Sequence, residues 1–288
     1  MSYCVEKNEK ISDAVRRTAT AEVHAAIAEL HSVPLKSKNI HEARRHLKKV
    51  RALLRLVRKQ FPPTAFKKEN KAFRDAGKML SPIRDARVVR KSLASLKSSD
   101  GKIKPGFRFI TLALQKDCDR RVIEKADLTK MTRLLQIALG RVKNWRLGNL
   151  KAREVRSALE RSFRRCKKYF CKCLKTKRDE SFHLLRKRVK DLEFHLCLFK
   201  VAWHKKAKCA WKEIKRLDDS LGEDHDLALL SERLRHFKFN NRELQNDYQK
   251  IVTAICERRT KLQKRAIKIG KVLFQEKPTV FVGRNIRL

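Results

Sequence analysis

The chain has 288 residues, 42% of them hydrophobic, with 74 Lys and Arg against 31 Asp and Glu and a formal net charge of +43. That much apolar material excludes a wholly disordered polycation, and only 8 Gly and 6 Pro disfavour a turn-rich all-β fold. A folded body so positive repels itself and attracts polyanions, so nucleic acid, an anionic membrane surface or a phosphate polymer are the candidate partners.

Met1 to Lys7 lacks a positive region followed by an apolar stretch, so no secretory signal is expected. No apolar run approaches the roughly 18 residues of a membrane span, so no membrane insertion is expected. Helical periodicity predicts helices at 5–31, 39–60, 64–80, 83–97, 107–125, 128–140, 151–177, 180–204, 207–220, 223–236 and 241–274. The breaks fall at Pro34, Pro62-Pro63, Ser81-Pro82, the loop from Gly101 to Gly106, the stretch Gly140 to Gly148, Gly222 and Pro278. Val280-Phe281-Val282 reads as a terminal tail. The class is all-α, built by burying the apolar stripes of antiparallel helices.

In the helix from His41 to Phe61, Ala43, Leu47, Val50, Leu54, Val57 and Phe61 share one face at 100° per residue. His41, Arg44, Arg45, Lys48, Arg55 and Lys59 take the other. Like charges three and four residues apart cost a few tenths of a kcal/mol each, and only Glu42 relieves them in the first turns. An anion lying along the stripe would remove that cost. The helix around 153–177 repeats the design: Leu159, Phe163, Cys166, Phe170 and Leu174 form its apolar stripe, with Arg161, Arg164, Arg165, Lys168, Lys172 and Lys175 opposite.

The eight cysteines are too sparse for a disulfide scaffold in a chain of this length. Cys171 and Cys173 would point about 200° apart on one helix, which argues against chelation. Buried free thiols in a reducing, cytoplasmic setting are expected. Asp218-Asp219 and Glu223-Asp224 flank Gly222 without any calcium-loop spacing. They read as caps of a helix starting near 223 and as balance for Lys212, Lys215 and Arg216, not as a metal site.

The two halves resemble each other. His41-Glu42-Ala43-Arg44-Arg45-His46-Leu47-Lys48 aligns with His183-Leu184-Leu185-Arg186-Lys187-Arg188-Val189-Lys190 at an offset of 142. Leu80-Ser81-Pro82-Ile83-Arg84-Asp85-Ala86 aligns with Leu221-Gly222-Glu223-Asp224-His225-Asp226-Leu227 at an offset of 141. Two matched blocks at one offset predict an internal duplication: two similar bundles, 1–150 and 151–288, with their histidine helices at equivalent places around a shared groove.

These two blocks, the Arg84-Asp85-Ala86-Arg87 turn and the Phe163-Arg164-Arg165-Cys166-Lys167-Lys168 helix resemble the CHAD family, the conserved histidine α-helical domain. The resemblance covers about residues 10–275. It implies two pseudo-symmetric helical bundles around a basic central groove or pore that binds inorganic polyphosphate without catalysis and without a cofactor or metal. Family members often carry a companion triphosphate-tunnel β-barrel. No such strand-rich segment occurs here, so a stand-alone binder is implied, with polyphosphate granules as one place it would sit. The residues carried over are His41, Arg44, Arg45 and Lys48 with Arg55 further along that helix; Arg84; Arg161, Arg164, Arg165 and Lys168; and His183, Arg186, Lys187 and Lys190. The second block departs where Phe194 and Cys197 replace Ala52 and Arg55, so a weaker second half is expected.

A nucleic-acid-binding protein is the main alternative, with weaker nucleic-acid binding through charge alone as a companion property. Single-strand binders interleave aromatics with cations for stacking, whereas Phe61, Phe163, Phe170 and Phe199 lie on apolar stripes here. An enzyme of phosphate metabolism is a more distant reading, since no paired base, nucleophile or phosphate-binding Gly-rich loop stands out.

Overall fold

A computed structural model describes residues 3–96, 105–120, 125–237 and 241–287. Of the loop expected from Gly101 to Gly106, residues 101–104 lie outside them, and Pro105 and Gly106 belong to a helix instead. Eleven α-helices run through the described residues: α1 (Ile11–Leu30), α2 (Ser37–Leu56), α3 (Pro63–Met79), α4 (Ser81–Leu96), α5 (Pro105–Arg120), α6 (Lys125–Lys143), α7 (Ala152–Thr176), α8 (Asp179–Leu198), α9 (Ala207–Leu234), α10 (Arg242–Leu273) and α11 (Pro278–Asn285). No β-strand is present among the described residues, only an isolated bridge between Trp203 and Ile286.

The helices form where the periodicity placed apolar stripes. On α2, Ala43, Leu47, Val50 and Leu54 are buried as expected, and so are Ala52, Leu53 and Leu56. The helix is therefore covered over more than one stripe, by α1, α3 and α8. On α7, Leu159, Phe163, Cys166 and Phe170 are buried. One large apolar cluster joins α1, α2, α3, α6, α7, α8, the first half of α9, the end of α10 and α11. A smaller one joins Val89 and Leu93 of α4 and Ile110 and Leu114 of α5 to Leu227 and Leu230 of α9 and Ile251 and Ile255 of α10. Both clusters draw on residues from either side of position 150.

Several expectations need correction. Gly222 does not break the chain: α9 is one helix of 28 residues. A mid-helix Gly costs about 1 kcal/mol relative to Ala, while burying Leu217 and Leu221 in the large cluster and Leu227, Leu230 and Leu234 in the smaller one contributes about 1.5–3 kcal/mol apiece. The acids around Gly222 consequently cap nothing. Asp218 binds Lys190 of α8 at 2.8 Å, Asp226 binds Arg84 of α4 at 2.9 Å, and Asp224 binds Arg259 of α10 at 3.0 Å.

The terminal segment is not a tail. Pro278 opens α11, where its missing N–H is no loss. Phe281 stacks on Phe163 with ring centroids 4.2 Å apart. The end of α11 is tied to the α8–α9 connection by His204 N–H to Asn285 C=O at 3.1 Å and Arg287 N–H to Ala202 C=O at 2.7 Å. That connection is a 3₁₀ turn at Lys200–Ala202, so the helix expected to 204 stops at Leu198.

The thiols also divide. Cys166 and Cys173 are buried, Cys4 and Cys197 are half-buried, and Cys171, Cys209 and Cys256 are exposed. The expectation of buried thiols fails for the last three because their helix positions face outward. Among the described residues no group of His, Cys, Asp and Glu could hold a metal ion, and no helix is long and apolar enough to cross a membrane.

Candidate functional site

The cations of interest gather where α2 packs on α8, beside the start of α4 and the middle of α9. On α2, His41, Arg44, Lys48, Arg51 and Arg55 are spaced by three and four residues, one helical row. Across from it, α8 supplies His183, Arg186, Lys187 and Lys190. Arg84 comes from α4 and His225 from α9.

At one end, Arg44 Nη1 donates to Gly77 C=O and, at 2.6 Å, to Ser81 Oγ. Its counterpart in the second block, Arg186, runs beside Gly222, where an added Cβ would lie 3.8 Å from Nε. Ser81 and Gly222 are themselves counterparts, so a hydroxyl steadies one arginine and an open backbone accommodates the other. Arg84 forms the link between the halves: one guanidinium nitrogen binds Asp85 at 3.0 Å and the other Asp226 at 2.9 Å. These two aspartates are the matched acids of the turn motif. They hold the Arg84 guanidinium between them. The rings of His183 and His225 lie 4.4 Å apart, tilted by 31°. His183 Nδ1 is shut off from solvent without a hydrogen-bond partner among the described residues.

At the other end, Arg55 binds Asp191 of α8 at 2.7 Å, and Arg188 binds the same carboxylate at 3.2 Å. Arg51 donates to Asn70 at 3.2 Å and feels the charges of Arg55, Arg74 and Arg188. Arg165 of α7 adds its charge beside Arg55.

Crowding of like charges marks the electrostatics. Lys48 still meets solvent, yet the protein around it strips enough water to push its pKa down to about 7, helped by Arg186, Arg44, Arg84 and Lys190. Desolvation, with neighbouring cations, takes His183 down to about 4 and His225 to about 2. Both histidines are therefore neutral at pH 7. Burial likewise lowers Arg44, Arg51 and Arg186, the last opposed mainly by Asp226 and Asp218.

The candidate residues thus fall into two groups. His41, Arg44, Lys48, Arg55, Arg84, His183, Arg186 and Lys187 come together at the seam. Lys190 reaches it but is held by Glu193 at 2.7 Å and Asp218 at 2.8 Å. Burial lowers its pKa, yet the two carboxylates outweigh that and leave it raised. Arg45 is exposed and paired with Glu42 at 3.4 Å on the flank of α2. On α7, Arg165 adjoins the seam, Arg161 and Arg164 lie beside it, and Lys168 is exposed further along the helix.

Sequence reasoning missed Arg51, His225 and Arg188 as members of the cluster. Arg51 was findable, because it completes the 41-44-48-51-55 spacing. The buried His195 gave no such signal. It bonds Ala52 C=O of α2 at 2.8 Å and Ser162 Oγ of α7 at 3.1 Å, pinning three helices behind the seam.

An all-α fold whose paired histidine helices meet at a cationic seam defines the class, and the comparisons agree. The CHAD domain family model matches residues 14–235. The chain belongs to the CHAD family, which is associated in general with polyphosphate. Its fold is similar to the crystal structure of the CHAD domain from the plant Ricinus communis, with a TM-score of 0.66, 16% sequence identity and 93% of each chain covered. No curated protein matches the sequence.

Proposed function

We propose that this protein binds inorganic polyphosphate, without turning it over, along a trough at the α2–α8 seam. The observation that supports this most is the convergence of cations from helices about 140 residues apart onto one solvent-accessible strip, where Lys48 loses much of its hold on a proton. Such an arrangement is unfavourable on its own and becomes favourable when a polyanion supplies the missing charge. Arg forks suit phosphate oxygens, and Lys48 and Lys187 supply mobile point charges. The ligand is base-free in this reading. Among the described residues the carbocyclic rings beside the seam are covered ones, Tyr169 under Arg188 at 5.7 Å from its centroid and the buried Phe194 under Lys190 at 5.1 Å, which leaves bases little to stack on apart from imidazoles.

Lys48→Glu with Lys187→Glu reverses two exposed charges that make no structural hydrogen bond. Binding of long-chain polyphosphate at near-physiological salt is expected to fall by about tenfold or more, as for losing several phosphate contacts. Lys264→Glu with Lys268→Glu on the exposed side of α10 is expected to change it by about twofold or less. Equal losses from the two pairs would reduce the seam to general electrostatics. DNA or RNA displacing an equal phosphate quantity of polyphosphate would favour the nucleic-acid reading instead.

A further inference from the structure

We propose that Glu193 and Asp218 form an acid-sensitive clamp on Lys190, which withholds that cation from polyphosphate at neutral pH and yields it as the pH falls. The proposal rests on the polyphosphate reading above and concerns the regulation of the same site.

The two halves of the seam differ here. At the offsets of the duplicated blocks, Lys190 aligns with Lys48, Glu193 with Arg51 and Asp218 with Gly77. The charges acting on Lys48 are the cations Arg186, Arg44, Arg84 and Lys190. In the second half, two carboxylates take the places of a guanidinium and of a residue without a side chain. Lys190 Nζ donates to Glu193 Oε2 at 2.7 Å and to Asp218 Oδ2 at 2.8 Å.

The clamp is unevenly balanced. One ammonium cannot compensate two carboxylates, so the three groups together carry a net negative charge. Each acid has only 11% of its side chain exposed, against 33% for Lys190, so the ammonium is the member a ligand can reach. Asp218 Oδ1 is shut off from solvent without a hydrogen-bond partner among the described residues. Desolvation, with the charges of Asp218 and Asp219 of α9, raises the Glu193 pKa above the ordinary 4.5 against the pull of Lys190. Around the clamp, α2 turns Lys48 towards Lys190, α8 adds Cys197 one turn on, and the N-terminal segment brings Tyr3 against Phe194. On its other side α8 meets α7, with Arg188 over Tyr169 and His195 on Ser162.

Proton and polyanion then act together. Protonating Glu193 removes one of the two negative charges that hold Lys190. A phosphate chain over Lys190 in turn disfavours the ionised form of Glu193, so binding takes up a proton on the acid side of neutrality. Affinity rises as pH falls, by about tenfold at most per pH unit for each proton taken up. Lys48 does not supply this change below about pH 6, because its pKa of about 7 leaves it already protonated there. The internal phosphates of a long chain stay ionised over the same range, so the charge of the ligand is constant.

The test measures the affinity of long-chain polyphosphate at constant ionic strength, from about pH 7 to about pH 5, with circular dichroism and melting to confirm folding. Glu193→Gln is expected to bind about fivefold more tightly than wild type near pH 7, and the gap is expected to shrink to about twofold or less near pH 5. The histidines are the same in both proteins, so the difference isolates Glu193. Asp218→Asn opens the clamp from α9 and is expected to tighten binding near pH 7 in the same way. Asp219→Asn makes the same charge change without touching Lys190 and is expected to stay within about twofold throughout. Adding Lys190→Met to Glu193→Gln should abolish the gain and flatten the salt slope by about one phosphate contact. The clamp would be overturned by an equal gain from Asp219→Asn, by a gap that does not narrow on acidification, or by a gain that survives Lys190→Met. Wild-type protein that binds no polyphosphate at either pH would overturn the polyphosphate reading itself.

Discussion

With its pKa near 7, Lys48 is half-neutral in the ligand-free protein at neutral pH. A polyanion beside it restores the proton, so binding above pH 7 takes up protons. Calorimetric titration at about pH 8 in two buffers of different ionisation heat should show this uptake, and Lys48→Met should remove most of it. The sign for stability follows from the same residue. Its folded value lies below the ordinary 10.5, so the unfolded chain binds more protons between the two values. The contribution of Lys48 to ligand-free stability therefore grows as pH rises from about 7 towards 10. Residue types and helical rows were legible in the sequence, which is why Arg44, Lys48, His183 and Arg186 were found. Which cations are spent on internal carboxylates was not. Lys190 aligns with Lys48 and Arg45 with Lys187, yet Asp218 from α9 holds Lys190 and Glu42 from its own helix holds Arg45.

Among helices, the crossing of α7 and α10 depends on Gly270. A Cβ there would sit 2.3 Å from Phe170 Cε2, and Phe170 is itself wedged against Phe274 with centroids 5.2 Å apart. Gly270→Ala gains up to about 1 kcal/mol of helix propensity, but overpacking a boxed ring costs about 1–3 kcal/mol. The net expectation is destabilisation, read as a lower midpoint in denaturant melts, with Phe170→Leu in the same chain recovering part of it. Helix existence was readable along most of the chain because apolar spacing is a local property. The ends and fusions were not. Gly222 and Pro278 carry the same breaker signals as true loop residues, and only the Leu side chains along α9 and the Phe163–Phe281 stack decide that the chain continues as helix there.

For the molecule as a whole, a charge of +43 sets the response to salt and to ligand. Self-repulsion weakens the compact state, so added salt should raise the melting temperature of the ligand-free protein. Long-chain polyphosphate should raise it further at low salt by mass action. The same salt weakens binding, so the ligand-induced shift should shrink as salt increases. A melting temperature unmoved by saturating polyphosphate would contradict the proposed function.

The amino-acid order alone determined the all-α class, the two aligned histidine blocks and the overwhelming positive charge, since each is a matter of composition or of spacing within one helix. Only the tertiary structure decided that α2 and α8 lie side by side, that Arg84 spans Asp85 and Asp226, and that Arg165 adjoins Arg55. Those pairings join residues as far as 142 positions apart. They arise from which apolar faces bury against one another, a choice that the helical rows on each segment leave open.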